Sequence, residues 1–497
     1  MSRRTRVWTI AVMACALSAA WGQDTTPPAD DASANPPQQP VPAYGQDNSS
    51  APVSENPPIS GLDLPSLEPH AAPLSYLQPG ATVSESADSN AASELGAAQS
   101  FSSLTHALGT LELRRLWSNY DLALDYVGGV GYYTLYGEGA RLLQQMDVDQ
   151  KISWKRGSLS LRDSFSYLPE GNFGASYGSL AGAETGSLAN TNFGAFIGGS
   201  VLGTFGLVPR ILNVSEADLT ESLSPRTTVT AAGGYAFTHF YGSDISNGVS
   251  YIGVSQVSAQ GGYDRILTPH TQVALVYGYQ GFDFSITGLG FHSHVIQGMY
   301  GHRITGRMDL LIGAGPQFTK ISIACSFLEL LAGNTNCTVG PSGNVVGSIP
   351  DTRIGAAGVA RLRYRFSKTS LDLSYMRYLT SGSGLFAGAE TDIAKLTIDR
   401  PLSRVWNGFA DLGYSRNSRI QTSGTAGVNA NSYQYGFVGV GVHRQFGHDF
   451  NGFLSYQFNE LAFDNSFCTA GGPCNRISHR QVITLGLDWT PRPIRLD

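Results

Sequence analysis

Alternation between polar and apolar residues dominates residues 359–379, "VARLRYRFSKTSLDLSYMRYL". Three arginines and three large apolar residues take turns there: Arg361, Leu362, Arg363, Tyr364, Arg365 and Phe366. Successive side chains of a β-strand point to opposite faces, so the stretch predicts a strand with one cationic and one apolar face. A water-soluble sheet would bury the apolar face, whereas a membrane-spanning sheet would turn it towards lipid.

Hairpin registers test the pattern, because a turn decides which residues of two strands face each other. With Ser367-Lys368 as the turn, Leu362 faces Leu373 and Arg363 faces Asp372. Apolar residues then meet apolar ones, and a cation meets an anion. The stretch therefore predicts a β-hairpin.

Three further turns give the same kind of match. The predicted partners are Trp154 with Leu159, Ile152 with Leu161, Val148 with Phe165, Ile304 with Met308, Tyr300 with Ile312, Arg303 with Asp309, Val442 with Leu454, Val440 with Tyr456 and Val438 with Phe458. Gln150 and Asp163 break the rule, because both fall on the apolar side. The agreement predicts consecutive antiparallel hairpins.

Alternating segments of about ten residues continue from residue 120 to the C-terminal region and predict an all-β chain. We expect about sixteen strands, at 120–133, 145–155, 158–168, 211–223, 227–241, 250–266, 271–284, 291–304, 308–322, 352–366, 369–381, 390–400, 405–418, 431–446, 449–464 and 478–490. Residues 109–117 either pair as a further strand or lie below the others.

The N-terminal region has a different composition. Residues 1–22 combine three arginines, an apolar run and small residues before Gln23, which predicts a secretory signal peptide. Lipidation at Cys15 is the weaker alternative, because Met13 fits the lipoprotein motif poorly. Residues 23–105 are rich in proline, alanine and serine and predict a disordered acidic tether, leaving 106–497 as the folded domain.

Charge excludes one class of partner. Residues 1–22 carry three positive charges and residues 23–100 carry ten negative ones, so the total of −6 leaves about +1 for the rest. A nearly neutral folded domain gives no case for nucleic-acid binding. Cys325/Cys337 and Cys468/Cys474 are closely spaced pairs in an exported chain, which predicts disulfides in loops.

The tryptophans favour a membrane barrel over a propeller or a soluble sandwich. The four beyond residue 22 are Trp117, Trp154, Trp406 and Trp489. Each lies at a strand end beside a short turn or at the end of the chain. In an even-stranded barrel, these positions share one membrane interface, where an indole ring is favoured.

From these strands, hairpins and aromatic positions, the chain resembles bacterial outer-membrane β-barrel proteins of the porin-like kind, over about 120–497. The resemblance implies a transmembrane antiparallel β-barrel, outer-membrane lipid and the barrel-assembly machinery as partners, and a tether in the periplasm. Such proteins commonly end in an apolar-alternating strand. "VITLGLDW" at 482–489 supplies one, although "TPRPIRLD" continues beyond it.

Catalytic and metal motifs are weak. "GASYG" at 174–178 matches the nucleophile motif of α/β-hydrolases, but it lies in a glycine-rich stretch of an all-β chain. His292 and His294 share a strand face, and we interpret them as a solvated pair rather than metal ligands. His302 has no predicted serine partner. We predict neither an enzyme nor a cofactor.

The inner row of charges is the candidate site. We predict that twelve residues line the lumen: Asp121, Asp125, Asp147, Asp149, Lys151, Arg162, Arg303, Asp309, Arg361, Arg363, Arg365 and Asp372. Opposed charges favour hydrated polar solutes.

The predicted function is a channel for passive or weakly selective passage of small hydrophilic solutes. The alternative is a non-conducting barrel that acts as an adhesin or an export or assembly component. Loop 169–210 either folds into the lumen or covers the surface.

Overall fold

The computed structural model describes residues 58–60, 75–91, 95, 101–134, 139–168, 209–241, 251–285, 289–325, 330–333, 335–340, 345–382, 384–420, 430–468 and 474–496. Three sequence predictions lie outside these ranges: the signal peptide at 1–22 with Cys15, the motif at 174–178, and residues 169–208 of the long loop. Within the described ranges, no helix is long and apolar enough to cross a membrane.

The described chain consists almost entirely of β-strands. They are β1 Tyr76–Asp88, β2 Ser102–Leu116, β3 Tyr120–Tyr133, β4 Gly139–Trp154, β5 Gly157–Leu168, β6 Arg210–Ser224, β7 Thr227–Phe240, β8 Val254–Thr268, β9 Thr271–Phe284, β10 Gly290–Thr305, β11 Met308–Ala324, β12 Cys337–Val339, β13 Val345–Arg365, β14 Ser370–Thr380, β15 Ala389–Pro401, β16 Trp406–Arg419, β17 Ser432–Phe446, β18 Phe450–Phe463, β19 Ile477–Trp489 and β20 Ile494–Arg495.

Eighteen of these strands form a closed antiparallel barrel. Each pairs with the next along the chain, and β1 closes the ring by pairing with both β2 and β19. In the ring, β11 pairs directly with β13. The short β12 pairs with the beginning of β13, and the short β20 pairs with β1. The predicted fold class is confirmed, and the predicted count of about sixteen is two strands too low.

The two additional strands are β1 and β2. The prediction of a disordered tether at 23–105 is wrong for three parts of it. Residues 76–88 form β1, residues 102–105 begin β2, and Ile59 and Ser60 are buried inside the barrel. The segment at 109–117, left open above, pairs as part of β2 over 109–116. Pro79 and Gly80 hid β1 in the sequence. Pro79 is tolerated because the register with β19 begins only at Ala81.

Polar contacts on the inner face hold the closing seam between β1 and β19. The Arg480 guanidinium donates from Nε to Asp88 Oδ2 at 2.8 Å, with Asp88 buried and Arg480 11% exposed. The Thr82 hydroxyl donates to Asp488 Oδ1 at 2.7 Å. The inner face of β1 carries mainly small polar residues, unlike the apolar face of a core strand. This difference explains why the sequence pattern missed β1.

Two predicted registers are confirmed. Leu362 faces Leu373 and Arg363 faces Asp372 across β13 and β14. Across β17 and β18, the three predicted pairs also occur: Val442 with Leu454, Val440 with Tyr456 and Val438 with Phe458.

Two other registers differ locally. The β4–β5 turn is Lys155-Arg156, so Ile152 faces Leu159 and Trp154 faces Gly157, a slip of two residues from the prediction. A slip of two keeps every side chain on its predicted face, because the side-chain period of a strand is two. The predicted pairs Val148–Phe165 and Gln150–Asp163 are wrong for the same reason.

At the turn between β10 and β11, the predicted pairs Tyr300–Ile312 and Arg303–Asp309 occur. A bulge after Arg303 then pairs Thr305 with Met308, where Ile304 was predicted. The bulge adds one residue to β10 and leaves the pairs beyond it in their predicted register.

The two faces of the barrel wall differ as the alternation predicts. On β10, Ile296, Tyr300 and Ile304 are exposed on the outside, whereas Val295 and Gln297 point inwards and are buried. The same alternation continues around the ring, with exposed leucine, valine and tyrosine outside. An apolar belt thus surrounds a polar or filled interior.

Candidate functional site: a charged belt on the inner face

The short connections cluster at one end of the barrel, called here the short-turn end. They follow β2, β4, β6, β8, β10, β13, β15 and β17, and each spans a few residues. The opposite end is called the long-loop end. Because the strands are antiparallel, inner residues close to a short turn all lie in the short-turn half of the interior.

Charges of alternating sign run across four neighbouring strands in this half. Arg303 on β10 faces Asp309 on β11, Asp309 faces Arg363 on β13, and Arg363 faces Asp372 on β14. Directly opposed opposite charges stabilise a sheet. The row of charges therefore follows from three strand registers. Hairpin turns set the β10–β11 and β13–β14 registers, and a longer connection links β11 to β13.

Asp372, at the β14 end of this row, contacts two arginines. Its Oδ2 accepts from Arg361 Nε and from Arg363 Nε at 2.9 Å each, and from Arg361 Nη2 at 2.5 Å. Arg361 is 14% exposed, Arg363 19% and Asp372 30%. The sequence predicted the Arg363–Asp372 pair. It did not predict that Arg361 shares the same acid, because Arg361 lies one pleat away.

The opposite part of the wall is richer in carboxylates. The acidic side chains of β2 to β6 that face inwards in the short-turn half are Glu112, Asp121, Asp125, Asp147, Asp149, Glu216 and Asp218; the basic ones are Arg114, Lys151 and Arg162. Arg114 Nη2 donates to Asp121 at 3.2 Å, and Arg162 Nε donates to Asp149 at 3.3 Å.

The two charged walls face each other across the interior. β3 and β13 lie nine positions apart in the ring of eighteen, which is half of the circumference. We call the acidic wall and the arginine-rich wall together the charged belt. Opposed walls of this kind set up a field across the interior, which favours polar, hydrated solutes over apolar ones.

All twelve residues predicted to line the lumen lie on the inner side of the alternation. Arg162 is buried and the other eleven are half-buried: Asp121, Asp125, Asp147, Asp149, Lys151, Arg303, Asp309, Arg361, Arg363, Arg365 and Asp372. The structure brings Arg303, Asp309, Arg361, Arg363 and Asp372 together, and it places the acids of β3 and β4 on the other wall.

The four predicted interface tryptophans lie at the short-turn end. Trp117 follows β2, Trp154 ends β4, Trp406 begins β16 and Trp489 ends β19. They are 37% to 53% exposed, and the Trp154 indole donates to Glu221 at 2.7 Å. An exposed ring with a polar partner suits a membrane interface.

Both predicted cysteine pairs form disulfides, Cys325–Cys337 and Cys468–Cys474, at the long-loop end. Beside the second, Asp464 accepts from the backbone N–H groups of Ser432 at 2.9 Å and Ser466 at 3.1 Å. Burial works to raise the pKa of the Asp464 carboxyl, but the hydrogen bonds from Ser466 and from the neighbouring backbone outweigh it. The pKa therefore lies below its usual value.

The histidines do not form a metal site among the described residues. His292 Nδ1 lies 3.0 Å from the Tyr279 hydroxyl, and His294 Nδ1 lies 2.8 Å from that of Tyr277. His302 faces Leu310, and its Nδ1 lies 3.0 Å from Thr271 Oγ1. Each histidine thus has a neighbouring hydroxyl on the outer face.

The long-loop half of the interior contains packed clusters of aromatic and aliphatic side chains beside buried polar residues, and the sequence pattern did not predict these clusters. Residues 384–388 pack inwards, and Leu385 and Phe386 are fully buried against Tyr433, Tyr435 and other inner residues. Gly382, Gly384 and Gly388 adopt positive φ angles there, which glycine does without strain. Those three glycines in eight residues were the only signal in the sequence.

A closed antiparallel sheet with an apolar exterior and a polar short-turn interior defines the architecture of a transmembrane β-barrel. No protein-family model matches the chain, and no curated protein is similar to it in sequence.

Several solved outer-membrane proteins are weakly similar in structure. OccAB1 of Acinetobacter baumannii aligns at a TM-score of 0.39 and 10% identity, over 84% of this chain and 97% of that one. OccK2 (OpdF) of Pseudomonas aeruginosa, solved in complex with glucuronate, gives 0.40 and 9% over 85% and 98%. The ferric-catecholate import receptor Fiu of E. coli K12 gives 0.40 and 9% over 85% and 82%. Values this low do not assign a family or a function.

Proposed function

We propose that the chain is an outer-membrane channel that admits small hydrophilic solutes through the charged belt. The observation that carries the proposal is the distribution of side chains on the wall. Large apolar residues are exposed outside, and a closed ring of strands encloses opposed acidic and arginine-rich walls. Charged side chains need water or polar partners, which lipid does not supply, so a charged interior suits a water-filled passage.

The proposed orientation follows from the two ends. The short turns and the tryptophans lie at one end, as at the periplasmic side of bacterial barrels. The two disulfides lie at the other end, which would then face the outside of the cell. The predicted signal peptide and the remainder of the tether fit this orientation, and the tether's partner is unknown.

Selectivity should be weak, because both signs of charge are present at the same level of the interior. Arginine guanidiniums on one wall attract anions, and carboxylates on the other attract cations. The pairs that involve Asp372 and Asp121 neutralise part of each wall. The remaining field orients a polar solute without excluding ions of one sign.

The apolar packing at the long-loop end supports one rival, a barrel that does not conduct and acts as an adhesin or as an export or assembly component. Phe386 and Tyr433 fill part of the interior there. Planar-bilayer recording of the purified, refolded protein separates the two. Stepwise conductance supports the channel, whereas a folded barrel that remains silent supports the rival.

A further inference from the structure

A short piece of the N-terminal segment lies inside the barrel. Ile59 and Ser60 are each only 1% exposed. Ile59 packs in a cluster with Ala274 and Val276 of β9, Met299 of β10 and Leu311 of β11. All four partners are inward-facing positions in the alternation of their strands, so Pro58–Ser60 occupies space that would otherwise belong to the interior passage.

Ser60 is held by polar groups from two neighbouring strands. Its backbone N–H donates to Asp264 Oδ1 at 3.1 Å, and its hydroxyl also contacts the Asp264 carboxylate. The hydroxyl lies 2.7 Å from Thr230 Oγ1, and the backbone carbonyl accepts from Gln260 Nε2 at 2.7 Å. The N–H, the hydroxyl and the carbonyl of one residue are therefore all bound, which is more than incidental contact requires.

Glycines on the inner face make room for this segment. A Cβ placed on Gly262 would lie 2.3 Å from Ser60 Cβ, and one on Gly301 would lie 3.2 Å from Ile59 Cγ2. The first distance is impossible without displacement of Ser60 or of the wall. By contrast, a Cβ on Gly355, another inner glycine, meets nothing within 4 Å. The wall is thus shaped to the segment at Gly262.

The segment also borders the charged belt. Ile59 lines one cavity together with Arg303, Asp309, Arg361 and Arg363. An aliphatic side chain therefore stands beside the arginine-rich wall, where a passing solute would need space and water. Because buried polar contacts fix Ser60, the segment has a defined seat at this level.

We propose that the inner wall of β7 to β10 is a binding site for the chain's own Pro58–Ser60 segment, and that the bound segment narrows the passage at the charged belt. Asp264, Thr230 and Gln260 bind Ser60, Gly262 gives it room, and the cluster around Met299 takes Ile59. The proposed narrowing of the passage rests on the proposed channel function. The binding of Pro58–Ser60 to the inner wall, called here the seating, does not.

Disulfide trapping tests the seating without any conduction. Ser60→Cys with Thr230→Cys replaces two hydroxyls that are 2.7 Å apart, and the two native disulfides leave no other described cysteine to compete. We expect the double variant to cross-link on mild oxidation, as seen by mass spectrometry after proteolysis. Ser60→Cys with Ser455→Cys, on β18, is the control and should not cross-link. Equal cross-linking of both pairs, or of neither, would overturn the seating.

Gly262→Val tests the narrowing, and the sign of its effect is diagnostic. If Ser60 is bound there, valine displaces the segment, and single-channel conductance rises by about twofold because the passage widens beside the charged belt. If the interior is empty at Gly262, valine only adds bulk, and conductance stays the same or falls. Gly355→Val is the matched control, since it adds the same bulk to an open inner position and should not raise conductance.

The outcomes separate the two claims. A conducting wild type with specific cross-linking and a Gly262→Val increase supports both. A conducting wild type whose conductance Gly262→Val fails to raise overturns the narrowing and leaves the channel function intact. Folded barrels that are silent in every variant overturn both the channel function and the narrowing, while the cross-linking result still decides the seating.

Discussion

The short-turn half of the barrel interior carries opposed charges, whereas the long-loop half combines packed clusters of aromatic and aliphatic side chains with buried polar residues such as Gln280 and Asp88. Asp372 binds two arginines in the first half, and Phe386 is fully buried among apolar side chains in the second. The same strands pass through both halves, so the difference lies in which residues occupy the inner positions at each end. A barrel interior can therefore be lined by charged residues at one level and packed with apolar side chains at another.

The two halves should respond to truncation in different ways. An apolar core loses packing and transfer free energy when a side chain is shortened. A charged network instead loses stability when one partner is removed and the other charge is left behind. The two largest expected effects, from Phe386→Ala and Asp372→Asn, test this difference, and each has a control at an exposed position.

The largest effect is expected from Phe386→Ala at the long-loop end. Phe386 is completely buried and its ring lies 5.3 Å from that of Tyr433. Its loss should lower the free energy of unfolding by about 3–5 kcal/mol. Urea unfolding of the barrel in lipid vesicles measures this.

Phe366→Ala is the control for that measurement, because Phe366 is 48% exposed beside the short β13–β14 turn. Its effect should be well below that of Phe386→Ala. Equal effects of the two variants would mean that the long-loop half is not packed as a core.

The next largest effect is expected from Asp372→Asn in the charged belt. Arg361 and Arg363 would lose their shared carboxylate while remaining largely buried, which should lower the free energy of unfolding by about 3 kcal/mol. Asp351→Asn is the matched control. The Arg353–Asp351 pair is more than 40% exposed on both sides, and its loss should change stability by less than about 1 kcal/mol. If Asp372→Asn leaves the free energy of unfolding unchanged, Arg361 and Arg363 are well hydrated, which contradicts the prediction.

The sequence predicts the charged short-turn half of the interior but not the packed clusters of the long-loop half. Period-two alternation and hairpin registers placed the charges of the short-turn half on the inner face, because a two-residue turn sets the pairing of Arg363 with Asp372. The β4–β5 slip did not disturb this, since a two-residue error preserves the faces.

The long-loop half and the closing strand could not be predicted in the same way. Phe386 is buried by contacts with distant strands, and no local pattern encodes them. The inner face of β1 is threonine and serine, so its composition resembled that of the disordered tether around it. Ile59 and Ser60 form too short a stretch to show any periodicity, and only a three-dimensional contact such as Ser60 with Asp264 reveals their place.

A smaller effect is expected from Asp464→Asn, at the margin of the long-loop half. Loss of the carboxylate weakens hydrogen bonds from the Ser432 and Ser466 N–H groups, so hydrogen exchange of these amides should speed up by about fivefold at neutral pH. Asp449→Asn, in the short β17–β18 turn, is the control and should leave these amides unchanged.

The pH dependence of that effect has a definite sign. The pKa of Asp464 is held below its usual value by hydrogen bonds, so its stabilising contribution is complete above the ordinary carboxyl pKa of about 4. The contribution is lost as pH falls through the lower pKa of the folded state. The difference between wild type and Asp464→Asn should therefore shrink on acidification. A difference that grows instead would contradict the assignment of those hydrogen bonds to the carboxylate.

The most direct test of the charged belt as a passage is the ion selectivity of two neutralising variants in planar bilayers. Arg365→Gln removes a cation from one wall and Glu112→Gln removes an anion from the other. The reversal potential in a salt gradient should shift towards cation preference in the first variant and towards anion preference in the second. Each change in the permeability ratio should be about twofold, because the remaining charges still act. Stepwise conductance with these opposite shifts would support a solute path between the two walls, whereas conductance that neither substitution alters would contradict it.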